Sequence, residues 1–333
     1  MGASQNLPQA RALRRPDKAN FPCTDLARRR KWASLSSGEL RQSLPDIALD
    51  SPFIDWPSAE MAIPTRFLLV ILLAVLAPAG AGFADGGPPA GLTPEEGRFG
   101  VVEVIDGDTL VLDDGRQVRL VGIQAPKLPL GRAGIKAWPL GEEAKATLGG
   151  LTQDRELTLA YGGRRVDRHG RALAQLYDAS GNWIQGEMLE AGMARVYGFA
   201  DNRALLAEML ALERTARRAR RGIWRHPFYG VRTPDEAAEF IGGFELVEGQ
   251  VLNAAVVRGR AYLNFGADWK TDFTVTLAPK VRRRFAAEGL DIEAYEGRRL
   301  RVRGWIESFN GPMIEVTHAE QIEVFREESL KGE

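Results

Sequence analysis

The stretch "VIDGDTLVLDDGRQVRLVGIQAPK", residues 104–127, carries most of what this sequence says about its fold. Asp106 and Asp108 flank Gly107, and short apolar runs follow. Residues 101–105, 109–112 and 117–123 read as three strands, the last two joined by Asp-Asp-Gly at 113–115, a hairpin signal. Arg119 falls inside the third strand, and Gln124, Ala125, Pro126 and Lys127 leave it as a loop. Residues two apart in a strand share a face, although Gly107 predicts a bulge that interrupts the alternation between Asp106 and Asp108.

Working outward, residues 140–151 have helical spacing, and 156–161 and 172–177 alternate as strands around a polar loop at 162–170. Helices are predicted over 183–191 and 204–219. The second ends in "RTARRARRG", whose arginines read as a solvated face with a favourable charge at the helix C-terminus rather than as a DNA-binding patch. Short strands with helical cover predict a small antiparallel barrel of the OB type, five strands folded on themselves.

The pattern restarts after a connector at 231–243. Strands are predicted at 245–254, 260–265, 273–278, 300–308 and 313–316, and a helix with Pro at its start at 279–290. The fold class expected is therefore mainly β with α: two OB-fold-like five-stranded barrels, at 98–230 and 244–326, the first carrying the extra helices. OB faces hold single strands through aromatic residues and a basic groove. Tyr262, Phe265, Trp269, Trp305 and Phe309 supply the aromatics, and Arg299, Arg301 and Arg303 share one face of an alternating run. That run reads either as a guide for a phosphate backbone or as a solvated strand face, with the aromatics then in the core.

Composition bounds the rest. The chain has 333 residues, 44 basic and 44 acidic, so no overall positive charge announces a polyanion partner and any such site is local. From Met61 the chain reads "MAIPTRFLLVILLAVLAPAGAGFADG": Arg66, a short apolar run, then small residues at 79–81 and 82–84. This is the layout of a signal peptide, too short for a membrane span of about 20 residues, and it predicts export with cleavage near Ala81 or Ala84. Residues 1–60 are then expected to be a disordered or misassigned extension, 85–97 a linker, and 327–333 a tail. No membrane span is expected beyond the signal segment. Residues 85–333 hold 34 basic and 37 acidic residues and no cysteine, which excludes a disulfide, a thiolate metal site and a cysteine nucleophile there.

The blocks "VIDGDTLVL", "VRLVGIQAP", "DRHGRALAQLY", "GMARVY" and "RRGIW" resemble, in order and spacing, the staphylococcal nuclease family over residues 99–229. The resemblance implies a calcium-dependent phosphodiesterase acting on DNA and RNA from an OB-fold. It places Arg119 and Arg171 at the two catalytic arginines, Asp108 at the first carboxylate ligand of the cation, and Asp106 just behind it. Arg168, His169, Tyr197 and Phe199 fall where the family meets its substrate, with the aromatics slightly out of step. The chemistry makes sense of such residues. Cleaving a phosphodiester gathers negative charge on the phosphorus oxygens, and arginine forks meet it without titrating. A hard cation wants carboxylate and carbonyl oxygens. Blander readings also fit: Asp-Gly-Asp-Thr as a plain hairpin, Arg119 as a solvent-facing strand residue, Arg171 as a turn residue paired with Asp167, and Tyr197 and Phe199 as core.

The departures are specific. Where the family has its second aspartate ligand, a threonine carbonyl, a proline and a glutamate base, this chain has Gln124, Ala125, Pro126 and Lys127. Gln124 offers only a neutral oxygen and Ala125 only its carbonyl, which weakens Ca²⁺ binding. An ammonium at Lys127 is no base at neutral pH. Two functional readings follow: a nuclease whose base lies elsewhere, with Glu142, Glu143 or Asp106 as candidates and the second OB domain holding the strand, or an impaired module that binds phosphate without metal through Arg119, Arg171 and Lys127, or that mediates assembly in the cell envelope. The partner expected either way is a nucleotide or nucleic acid, single strands favoured. The sequence says nothing about oligomeric state.

Overall fold

A computed structural model describes residues 89, 91–131, 134 and 136–325; the signal segment, the extension before it and the tail lie outside the described residues. Contiguous apolar alternation builds the first sheet. Strands β1 (Thr93–Pro94), β2 (Val101–Asp106), β3 (Thr109–Leu112), β4 (Gln117–Leu120), β6 (Leu157–Tyr161) and β7 (Ala172–Asp178) pair in the order β1-β6-β7-β4-β3-β2. β5 (Gly122–Gln124) and β8 (Arg195–Tyr197) form a separate two-stranded ribbon. Helices α1 (Gly141–Thr152), α2 (Ile184–Glu190) and α3 (Leu206–Arg218) accompany this half. Leu110, Leu112, Val118, Leu120, Leu157, Leu159 and Leu176 are fully buried in one core, closed by Leu148 of α1, Met188 of α2 and Met209 of α3.

The second sheet has seven strands. β10 (Asn253–Val257), β11 (Arg260–Asn264), β12 (Thr274–Leu277), β14 (Pro312–Val316), β13 (Arg299–Ser308) and β15 (Ile322–Val324) follow in that spatial order, and β9 (Phe244–Gln250) pairs the other side of β13. Helix α4 (Pro279–Ala287) buries Phe285 in a second core with Val275, Leu277, Val302 and Ile314.

The architecture is mainly β with four α-helices and sheets of six and seven strands. The five-stranded closed barrels expected from sequence differ from this: among the described residues both pairing paths end in open edges. The predicted strand at 117–123 is two strands, because Gly122 at φ 87° turns the chain away from β4. The predicted strand at 245–254 likewise divides into β9 and β10. Two stretches taken as linkers are built into the structure. Thr93 and Pro94 pair with Tyr161 and Ala160, and Arg232 exchanges backbone hydrogen bonds with Leu246 and Glu248.

Helix α3 shows what joins the halves. Its buried residues, Leu206, Met209, Leu210, Glu213 and Ala216, follow one helical stripe, and the stripe includes a carboxylate. A buried charge needs a partner. Arg303 of β13 supplies it through Nη1 and Nη2, at 2.9 and 2.8 Å, and reaches Glu323 of β15 at 2.7 Å. Arg217 bridges the same two acids, and Arg301 is held by Glu248. Arg301 and Arg303 are therefore buried ion-pair residues, not a backbone guide or a solvated face; only Arg299 of that run is exposed. Arg217, in the run taken as a solvated helix face, belongs to the same network. Arg203 adds a second link, with Glu288 and Glu320 as partners.

Candidate nucleic-acid site

The hairpin between β2 and β3 sets the chemistry. Asp106 pairs with Thr109, so Gly107 and Asp108 form its two-residue turn; the bulge expected at Gly107 falls one step earlier, between Val104 and Asp106. A Cβ at Gly107 would lie 2.7 Å from the Cβ atoms of both Ala125 and Ala144. Glycine lets the turn press against the loop after β5 and against α1, and that close approach carries Asp108 fully inside.

Every oxygen of the Asp108 carboxylate is engaged. The Lys127 ammonium donates to both, at 2.8 and 2.6 Å, the backbone N–H of Ala125 donates at 2.8 Å, and Arg119 Nη2 stands 3.2 Å away. Burial alone would raise the pKa of this carboxyl; Arg119 and Lys127 overcome it and hold the group down at about 2. Asp106 lies behind, its Oδ1 accepting from the Asp108 N–H at 3.0 Å, and burial followed by the neighbouring Asp108 charge raises its pKa. Arg119 is fixed further by the carbonyls of Leu120 and Ile123, each 2.6 Å away.

The expected positions are thus only partly brought together. Arg119, Arg168, His169, Arg171, Tyr197 and Phe199 line one groove of about 540 Å³ beside β4 and β7. Arg119 and Arg171 meet there because β4 and β7 run parallel with Arg119 opposite Leu173. Arg171 keeps the Asp167 partner of the blander reading, at 2.7 Å, yet still faces the groove. Tyr197 and Phe199 are not core residues: Phe199 is half exposed, and their rings meet edge to face at 4.9 Å.

Two expectations are corrected. Lys127 is not a free cation of the anion site, because its charge is spent on Asp108 and it is absent from the groove lining. The Gln124 side-chain oxygen does not face Asp108: it accepts from Arg195 Nε at 2.9 Å, and that guanidinium lies over the Phe244 ring. Ala125 meets Asp108 through its backbone N–H, at 2.8 Å. Glu142 and Glu143 are exposed on the first turn of α1 and do not line the groove. Among the described residues no three His, Cys, Asp or Glu side chains group to hold a metal. A hard divalent cation asks for several anionic oxygens; here both oxygens of Asp108 are already engaged by donors, and Asp106 is the carboxylate beside it, with Lys127 3.7 Å away.

Sequence reasoning missed Arg164 and Asn202 and assigned Trp305 to the second half's aromatic face alone; all three line the groove. Asn202 fixes the rim by donating to the Arg164 carbonyl at 3.1 Å. Trp305 comes from β13, and its Nε1 donates to the Tyr197 hydroxyl at 2.9 Å. Nothing local marks it, since the contact joins residues far apart in the chain.

A family model described as staphylococcal nuclease homologue matches residues 117–226. An "Uncharacterized endonuclease" of Escherichia coli O157:H7 is 33% identical over 127 residues, covering 37% of this chain and 74% of that protein. This chain belongs to the staphylococcal nuclease homologue family. A "Micrococcal nuclease" of Shigella flexneri is 33% identical over 141 residues, 39% of this chain and 75% of that protein. A "Thermonuclease" of Staphylococcus hyicus is 26% identical over 171 residues, 48% of this chain and 96% of that protein. The family model ends at residue 226, so the second sheet and Trp305 lie beyond what it describes. Among the described residues no helix is long and apolar enough to cross a membrane.

Proposed function

We propose that this protein binds nucleic acid through the Arg119 and Arg171 groove and does so without calcium. The observation that carries the reading is the Lys127 ammonium seated on both oxygens of Asp108, where the family pattern has a cation. A built-in cation balances the buried carboxylate and keeps the hairpin shut, and Arg119 stays aligned by two carbonyls without metal. A phosphate in the groove would meet Arg171 through its remaining Nη1 edge, Nε and Nη2 being held by Asp167, with Arg168 and Arg164 on the rim and the Tyr197 and Phe199 rings beside it to take a base.

The nuclease names of the relatives and the two arginines in one groove support a second reading, phosphodiester hydrolysis. Lys127, an ammonium held by Asp108, does not serve as the base. Asp106 is buried behind Asp108 and outside the groove lining, whose carboxyls are Asp167 and Asp201. The two sheets are proposed as open variants of the OB layout, and the 61–84 segment as an export signal, to be checked by fractionating cells that express a tagged chain.

Titration with thymidine 3′,5′-bisphosphate in excess chelator tests the first reading. Binding is expected, weakened about tenfold or more by Arg171→Ala, as suits a charged hydrogen-bonding partner worth ~1.5–3 kcal/mol. Binding that appears only after Ca²⁺ is added would overturn it. Release of nucleotides from an oligonucleotide in chelator, lost in an Arg119→Ala/Arg171→Ala variant, would favour the hydrolytic reading.

A further inference from the structure

The second sheet carries a groove of about 350 Å³ on its outer face, bounded by Tyr262, Trp269, Phe309, Met313, Asn264 and Asn310 among others. Trp269 and Phe309 are more than half exposed, and no residue lining the groove is charged. Scattered apolar side chains on a surface need no explanation, but an indole, a phenyl and a phenol around one hollow with amides and hydroxyls between them form a composed surface.

This face is continuous with the first groove. Residues two apart on a strand share a face. Ile306 of β13 is buried, so Trp305 and Glu307 lie on the outer side, and Glu307 stands opposite Met313, which stands opposite Thr274, which stands opposite Asn264. Met313, Thr274 and Asn264 all line the second groove. Trp305 thus belongs at once to the Arg119 and Arg171 groove and to the sheet face that leads to Phe309, four residues on, or about 13 Å along an extended chain.

We infer that an unpaired nucleic-acid strand leaves the arginine groove over Trp305 and stacks its following bases on Phe309, Trp269 and Tyr262. The inference rests on the nucleic-acid reading above and adds the strand type and its path. Charge selects the orientation. Glu307 lies between the two grooves and Glu315 beside the second, the latter bridged by Arg260 at 2.9 Å. Glu307 repels a phosphate backbone from the passage between the grooves, while the Glu315 charge is balanced by Arg260; neutral base faces fit the uncharged lining and leave the phosphates in water. Asn264 and Asn310 bring amides able to meet base edges, and the base faces stack on rings without regard to sequence. A duplex keeps its bases stacked inward and gains nothing from these rings.

Fluorescence anisotropy separates this path from the first groove, using a labelled oligothymidylate of about eight nucleotides, within the footprint usual for such sheets, and the bisphosphate as competitor. Trp269→Ala/Phe309→Ala, both exposed side chains, is expected to weaken the oligonucleotide roughly tenfold or more. Bisphosphate affinity and the salt dependence of binding are expected to stay unchanged, because no phosphate contact is removed. Trp305→Ala is expected to weaken both ligands. Equal oligonucleotide affinity in wild type and the double variant, or equal binding of single strand and blunt duplex, overturns the path. Failure of the bisphosphate to bind, with the oligonucleotide still sensitive to the double variant, overturns the arginine pocket and leaves the aromatic path standing. A neutral oligosaccharide or proline-rich peptide whose binding the double variant abolishes, with the oligonucleotide unaffected, assigns the groove to another ligand and also overturns the path.

Discussion

Lys127 and Arg119 share one carboxylate, and that sharing sets the consequence of changing either. Lys127→Met leaves the buried Asp108 with Arg119, the Ala125 N–H and the Thr109 hydroxyl, and is expected to cost about 2 kcal/mol in urea unfolding, short of the 3–5 typical of a fully orphaned buried charge. Lys127→Glu goes further, setting a third carboxyl beside Asp106 and Asp108. Its melting temperature is expected to fall in chelator and to rise again with Ca²⁺, while the wild type responds to neither; scanning calorimetry in the two buffers checks this. The identities of Lys127, Gln124 and Ala125 are plain in the sequence, but their directions are not. Whether Lys127 faces ligand or carboxylate depends on how far the loop sinks, which Gly107 and Ala144 decide by contact.

At the scale of elements, the β2–β3 hairpin and the 3-10 turn before β15 are the sensitive joints. Gly107→Ala forces a methyl into a gap already filled by two alanines, and about 1–3 kcal/mol of destabilisation is expected, with loss of bisphosphate binding as Asp108 and Arg119 shift. The other joint is His318, buried before Ala319–Gln321 and against Gly198, where an added Cβ would lie 2.9 Å from its Nε2. Burial lowers its pKa to about 4, opposed by Glu320 and reinforced by Arg203, Arg303 and Arg284. The unfolded imidazole titrates near ~6.5, so between those values the unfolded state binds the extra proton. The stability due to neutral His318 is complete above about 6.5 and drains away as the pH falls toward 4. Urea midpoints across that window are expected to decline less in His318→Gln. Element positions were largely readable, since burial alternates with period two in strands and 3.6 in helices. The breaks at Gly122 and after Gln250 were not, because apolar pattern continues across them while the backbone turns.

For the whole molecule, the decisive feature is that Glu213 of the first half and Arg303 of the second are buried against each other. Arg303→Met strands Glu213 with Arg217 as its remaining cation and is expected to cost about 3 kcal/mol, whereas Glu213→Gln/Arg303→Met is expected to recover most of it. A double-mutant cycle measures the coupling. The same network predicts that the wild type unfolds in one transition by both fluorescence and circular dichroism, and that Arg303→Met separates the two signals. A hint lay in the sequence: Glu213 occupies the apolar stripe of α3, where a carboxylate without a partner would be prohibitively costly. The partner was out of reach, because an alternating Arg299-Arg301-Arg303 run looks the same facing water as facing a buried acid.

The sequence by itself determined the family, the secondary-structure pattern of both halves and the presence of Arg119, Arg171 and Asp108 at matching spacing, because these are properties of local periodicity and residue order. Only the tertiary structure decided that Lys127 neutralises Asp108, that Gln124 turns to Arg195, and that Trp305 enters the first groove. Each of those outcomes is a choice of partner across long chain separations, made by burial, which penalises an unpaired charge or donor and leaves no trace of its solution in neighbouring residues.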